Sequence, residues 1–258
     1  MVGRLEQQPA RAGVFRGGSD LVKTVEMVRE LGPARAFGKI RTIALIRLHS
    51  ARFDRVLVPM DRTETYQTLS LAETTTVGAN RIHTVDYEPT PPRVFERLLA
   101  ELPIEPADFS FIDFGCGKGR LMLFAAEFGF RRVVGVEFAV EFARQARERI
   151  AAYQEQTGTL SEMVCHNMDA IDFTIPDGPC VIFLFNPFAE PVLEKVIANL
   201  EASLRAAPRP IFVIYYNPAY ARHFEQSPLF QRRELSFGAR LYLAALSPYS
   251  AALYESRA

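Results

Sequence analysis

The stretch Phe111-Ile112-Asp113-Phe114-Gly115-Cys116-Gly117-Lys118-Gly119-Arg120 constrains this chain more than any other. A strand-length apolar run ends in an acid, passes through three alternate glycines and enters a segment rich in helix formers. Glycine lets the backbone turn sharply and approach a ligand where a Cβ would collide with it. The amide N–H groups of the following helix point back at the loop and make it attractive to polar or anionic groups. A nucleotide-like cofactor fits this geometry, and the strand needs a sheet to hold it.

The residues on either side of the loop supply that sheet. Apolar runs at Phe109–Phe114, Arg132–Glu137, Glu162–Cys165, Pro179–Phe185 and Pro210–Tyr216 alternate with helical stretches near Gly119–Phe128, Val140–Tyr153, Pro191–Leu204 and Pro218–Gln226. Strand and helix in alternation indicate a parallel sheet wrapped by helices. A further helix with Val94, Phe95, Leu98, Leu99 and Leu102 starts after Pro91-Pro92. Phe230–Phe237 and Arg240–Leu246 read as two strands joined through Gly238, an antiparallel pair closing the sheet. The expected class is α/β: a doubly wound, mostly parallel, seven-stranded sheet with a C-terminal antiparallel hairpin and an N-terminal helical extension. With 258 residues, 48% of them apolar, the chain can bury such a core.

The domain reading is a mobile N-terminus over 1–19, a helical and loop extension over 20–84 covering the site, and the core over 85–258. Leu21, Val22, Val25, Val28 and Leu31 recur at helical spacing, and Phe37, Ile40, Ile43, Ala44 and Leu48 mark a second helix. Thirty basic residues balance thirty acidic ones, which argues against nucleic acid as a partner. The first 60 residues nevertheless hold 11 Lys/Arg against 5 Asp/Glu, so this segment can meet an acidic partner. Cys116, Cys165 and Cys180 form no CxxC pair, so neither a disulfide framework nor a metal site is expected. The apolar runs are far shorter than the roughly 20 residues of a membrane span, and the expected location is cytoplasmic.

Spacing narrows the cofactor. The dinucleotide fingerprint G-x-G-x-x-G, counted from Gly115, needs a third glycine where Arg120 stands, and no phosphate-loop string occurs. Asp113-x-Gly115-x-Gly117-x-Gly119 instead resembles motif I of class I S-adenosylmethionine-dependent methyltransferases, whose fold is Rossmann-like. The resemblance implies S-adenosyl-L-methionine as cofactor, with Asp113, Gly115, Cys116 and Gly117 around its amino-acid part. A second strand ends at Glu137, 24 residues after Asp113. A carboxylate there can accept both ribose hydroxyls, with Phe138 beside it. Asn167-Met168-Asp169 resembles the adenine-binding position, where Asp169 accepts from the exocyclic amine and Met168 packs on the ring.

The fourth strand ends Phe185-Asn186-Pro187-Phe188, similar to the [DNS]-P-P-[YF] motif of methyltransferases that act on nitrogen, with one proline in place of two. On that resemblance Asn186 and Pro187 are catalytic, Asn186 also faces the cofactor, and Phe188 packs over the substrate. Tyr87-Glu88-Pro89, the glycine loop, Gly135-Val136-Glu137 and Asn186-x-Phe188 together resemble the histone-lysine methyltransferases that lack a SET domain. This adds Glu88 to the catalytic set and Tyr87 to the substrate set. Tyr215-Tyr216-Asn217-Pro218 ends the fifth strand, where open α/β sheets bind ligands, which puts Tyr216 on the acceptor side. Lys118 and Arg120 are expected in solvent.

The expected activity is methyl transfer to a nitrogen of a protein or small-molecule acceptor. A nicotinamide-dependent oxidoreductase and a non-catalytic cofactor-binding protein are the alternatives.

Overall fold

The computed structural model describes residues 90–247 and 249–257. The expectations for 1–19, for the helices of the extension, and for Tyr87 and Glu88 lie outside them.

The described chain starts at Thr90, and helix α1 (Pro92–Leu99) opens on proline, where the missing N–H would have no helical partner anyway. Val94, Phe95, Leu98 and Leu99 are buried along it. Then come β1 (Ser110–Phe114), α2 (Arg120–Glu127), β2 (Arg132–Glu137), α3 (Val140–Thr157), β3 (Glu162–Asn167), β4 (Cys180–Phe185), α4 (Glu190–Ala206), β5 (Ile211–Tyr216), α5 (Arg222–Gln226), β6 (Phe230–Arg233), α6 (Phe237–Leu246) and β7 (Ala251–Ser256).

The seven strands lie in the order β3-β2-β1-β4-β5-β7-β6. The first five pair in parallel, and β7 runs antiparallel between β5 and β6. Strands β1, β4 and β5 are apolar along almost their whole length because both faces are covered, as parallel strands require. Phe111, Phe183 and Ile214 point into a core with α1, α2, α3 and Leu243 of α6. Ile112, Ile182 and Val213 point into a second core with α4 and α5. Phe95 meets Phe111 and Phe183 edge-on, with ring centroids 5.4 and 5.7 Å apart.

One element departs from the sequence reading. The run Arg240–Leu246 is not a strand. It belongs to α6, and the antiparallel partner of β6 is β7. The alternation of Leu241 with Leu243 imitates a strand, but the buried positions of α6 are Ala239 and Leu243, four apart. Ser236 caps the helix by accepting the Ala239 N–H at 3.2 Å, which is the usual service of serine at an N-cap. The helix expected from Pro218 is also shorter, starting at Arg222.

β1 and β4 are neighbours in the sheet but not in sequence, and the crossovers leave them in opposite directions. Open α/β sheets bind their ligands at the carboxyl ends of such strands.

Candidate active site

The glycine loop leaves β1 at that edge. Gly115 and Cys116 donate their N–H groups to the Val136 carbonyl of β2, at 2.8 and 3.3 Å, which folds the loop across the sheet's end. Gly115, Gly117 and Gly119 have φ of 73°, 53° and 74°, a region that favours glycine. Two of them also stand where no side chain fits. A Cβ on Gly115 would lie 2.6 Å from Pro187 Cβ, and one on Gly119 would lie 2.9 Å from Ala146 Cβ.

Glu137, at the end of β2, reaches into this loop. Its Oε2 accepts the Gly117 N–H and its Oε1 the Ala139 N–H, both at 2.8 Å. The end of β3 is tied to the same residue, since Asn167 Nδ2 and the Met168 N–H both donate to the Glu137 carbonyl, at 2.9 and 3.1 Å. The loop, the β2 acid and Met168-Asp169 therefore form one connected rim. Asp169 is buried and accepts the Ile171 N–H at 3.2 Å, capping a short 3-10 turn, while Phe138 and Met168 are half-buried.

Electrostatics set this rim apart. Burial, and then the charge of Glu137, push the Asp113 carboxyl up to about 8. Burial likewise lifts Glu137 to about 7, although the backbone N–H groups of Ala139, Gly117 and Phe138 oppose the rise. Two carboxyls withdrawn from water beside the glycine loop favour any ligand that brings positive charge.

Two expectations change here, one for Lys118 with Arg120 and one for Tyr216. Lys118 and Arg120 are buried, with 2% and 9% of their surface exposed; long aliphatic stems bury readily, and the Arg120 guanidinium sits 5.6 Å from the Phe124 ring centroid. Cys116 is a small buried filler of the loop. Its Sγ lies 3.6 Å from Cys165 Sγ, and that contact, burial and the nearby carboxyls push its pKa well up.

Tyr216 does not open on the acceptor side. It is fully buried against Phe185, its hydroxyl bonded to Ser247 at 2.9 Å.

At the end of β4, Asn186 takes φ 40°, and its Oδ1 accepts the Tyr215 hydroxyl at 3.2 Å. The Tyr220 N–H donates in turn to the Tyr215 oxygen at 3.4 Å. Helix α4 starts at Glu190 with Ala189 at its N-cap, so Asn186 does not cap it. Phe188 is half-buried with its ring 6.1 Å from Phe114. The Asn-Pro-Phe turn thus adjoins the glycine loop through Gly115 and Pro187. The tyrosine that holds Asn186 was hidden in an apolar strand, and only its position at a strand end hinted at it.

Glu190, Glu194 and His223 also gather, their ligand atoms within 4.8 Å of one another. Arg222 and His223 both engage Glu190 Oε1, and these two partners hold the Glu190 carboxyl below its ordinary range. This is an ion-pair cluster joining α4 to α5.

Residues 111–207 match a family model described as a methyltransferase domain. This stretch is a methyltransferase domain, and it supports a class I S-adenosylmethionine-dependent enzyme. The methyltransferase is similar to a protein-lysine N-methyltransferase of Saccharolobus islandicus (strain REY15A), with 28% identity over 136 residues, 52% of this chain and 81% of the relative. Among solved structures it is similar to an RNA methyltransferase from Salinibacter ruber in complex with S-adenosyl-L-homocysteine, at 18% identity and TM-score 0.41, covering 65% of this chain and 92% of that one. It is also similar to an S-adenosylmethionine-dependent methyltransferase from Mesorhizobium loti, at 17% identity and TM-score 0.44, covering 64% and 97%. The methyltransferase is an enzyme whose methyl donor is S-adenosylmethionine, in place of the oxidoreductase alternative. Among the described residues no helix is long and apolar enough to cross a membrane.

Proposed function

We propose that this methyltransferase transfers a methyl group to a nitrogen of a protein or small-molecule acceptor, with a protein favoured. The contact of Pro187 with Gly115 carries the reading, because it seats the Asn186-Pro187-Phe188 turn against the cofactor loop. The Saccharolobus relative, a protein-lysine N-methyltransferase, supports the same acceptor class.

The rim fits the cofactor. The sulfonium and ammonium of S-adenosylmethionine are cations, and Asp113 and Glu137 are buried acids whose ionised forms a cation would stabilise. Asp113, Gly115, Cys116 and Gly117 would line the amino-acid part, Glu137 and Phe138 the ribose, and Met168 and Asp169 the adenine. A carboxylate offers about four acceptor positions, so Glu137 would bond ribose in addition to its backbone donors and not in exchange for them.

The bound cofactor supplies a methyl already activated on sulfur, and the protein's task is proximity and alignment. Asn186 and Pro187 would place the nucleophile, with Phe188 packed alongside. Glu88 and Tyr87 remain candidates for the acceptor side on sequence grounds.

Calorimetric titration with S-adenosylmethionine and S-adenosylhomocysteine, with NADH as control, tests the cofactor; micromolar binding of the first two alone is expected. A labelled-methyl assay with a lysine-rich protein, small amines and ribosomal RNA tests the acceptor. Label in protein or amine supports the reading, whereas label in RNA alone overturns it.

A further inference from the structure

We propose that Asn217 is a second acceptor-positioning residue beside Asn186, and that the two carboxamides select an uncharged primary amine. This deepens the preceding reading and rests on its placing Asn186 at the acceptor. Phe185 of β4 and Tyr216 of β5 are register partners. The next residue on each strand is asparagine followed by proline, Asn186-Pro187 and Asn217-Pro218. Among the described residues these are the two non-glycine positions with positive φ, 40° and 54°. Positive φ is unfavourable for any residue with a Cβ, and a following proline restricts the backbone further toward extended forms. Such outliers persist where surrounding structure fixes them, and they concentrate at functional sites.

Both turns are held firmly. The Asn217 N–H donates to the Ser250 carbonyl at 2.9 Å, and its own carbonyl accepts the Ala219 N–H at 2.8 Å. Asn186 Oδ1 accepts the Tyr215 hydroxyl and keeps a second lone pair. The Asn217 carboxamide is half-buried and bonds to no described residue. Two carboxamide oxygens are therefore available at adjacent strand ends, next to the turn that touches the glycine loop. Residues 186–188 and 215–220 contain no acid, so this patch suits a neutral group better than an ammonium.

A neutral primary amine has two N–H groups and one lone pair. Donating one N–H to each asparagine leaves the lone pair to attack the methyl carbon. The new N–C bond forms as the C–S bond breaks, sulfur keeps the bonding pair as a neutral thioether, and the product ammonium releases a proton to water. A secondary amine has a single N–H, so one oxygen goes unmatched and the second methylation is disfavoured.

Asparagine also tolerates positive φ better than most residues, so a purely backbone role is the rival account. Asn217→Gly separates the two, since glycine adopts the turn freely and removes only the carboxamide. The assay uses labelled S-adenosylmethionine with poly-L-lysine and its Nε-monomethylated counterpart at about pH 9, where part of the lysine (pKa ~10.4) is uncharged. The wild-type protein is expected to prefer the primary polymer about tenfold. Asn217→Gly is expected to lose that preference and about tenfold in rate, the scale of one lost hydrogen bond, with cofactor affinity by calorimetry kept.

Unchanged rate and preference in Asn217→Gly, or a wild-type protein that does not methylate poly-L-lysine or does not discriminate, overturns the proposal. Should the glycine variant not fold, Asn217→Asp keeps the shape and an acceptor oxygen; it should retain the preference, and losing it counts against us. Full activity in Asn186→Gly would instead undo the reading of the turn on which this one rests.

Discussion

The two ends of the parallel sheet are built on opposite principles. At the amino end of the strands a buried arginine and a serine are fully engaged. Arg209, buried with 5% of its surface exposed, donates to the carbonyls of Pro176, Gly178, Ser203 and Ala207 and to the Ser203 hydroxyl, at 2.6 to 3.1 Å. Ser256 closes the same edge, accepting the Ile211 N–H and donating to the Arg209 carbonyl. At the carboxyl end the chain instead keeps three glycines and two asparagines at positive φ and two buried acids with raised pKa. One edge carries stability, and the other spends some of it to keep a site open. Active sites commonly hold strain that the rest of the fold must offset.

Arg209→Ala should give the largest change in stability. It orphans several buried carbonyls at once, each worth about 1–3 kcal/mol when unsatisfied, and a loss of about 3–5 kcal/mol is expected in urea denaturation. Cofactor affinity, measured below the transition, should stay within about twofold, because none of these bonds touches the glycine loop. A large loss of affinity in this variant would show that the two edges are coupled.

At the other edge the order reverses. Gly115→Ala sets a Cβ against Pro187 at a positive φ, and should cost about 1–3 kcal/mol in stability while abolishing measurable cofactor binding, since the cofactor loop and the Asn-Pro-Phe turn must separate. Glu137→Ala should weaken S-adenosylmethionine binding by about 10- to 100-fold through lost charge-assisted bonds, with unfolding shifted little because a buried acid that resists ionisation is also removed. Wild-type affinity in Glu137→Ala would remove the ribose assignment.

The sequence revealed the two edges unequally. Gly115, Gly117 and Gly119 were legible because their conformation demands glycine and so leaves a trace in the residue type. Asp113 and Glu137 were legible because each is an acid at the end of an apolar strand. Arg209 left no such trace: its five bonds go almost wholly to backbone carbonyls, which any sequence supplies. Lys118 and Arg120 were misplaced in solvent because residue type shows charge and not the burial of a long stem. Tyr216 was placed at the acceptor by its strand-end position, but alternation along β5 sends it into the α1–α3 core, whereas its neighbour Tyr215 reaches Asn186. The helix α6 was missed because Leu241 and Leu243 alternate like a strand while the burial runs from Ala239 to Leu243.

The smallest expected effect separates the edges by pH alone. Asp113 and Glu137 rise in the folded protein from ordinary values of 3.8 and 4.5 to about 8 and about 7. Between about pH 4 and pH 8 the folded state therefore binds more protons than the unfolded one, and stability must fall as pH rises through that window. The melting temperature of the cofactor-free protein should drop from about pH 5 to about pH 8.5. Other groups titrate over the same range, so the difference between variants is the informative quantity. Asp113→Asn, which cannot ionise, should flatten the fall, and Arg209→Ala should lower the whole curve while keeping its slope. Saturating S-adenosylmethionine should also flatten it, because a bound cation favours the ionised carboxyls that burial alone opposes. If Asp113→Asn leaves the slope unchanged, Asp113 is paired with a cation in the free enzyme, and the carboxyl edge is less strained than its burial implies.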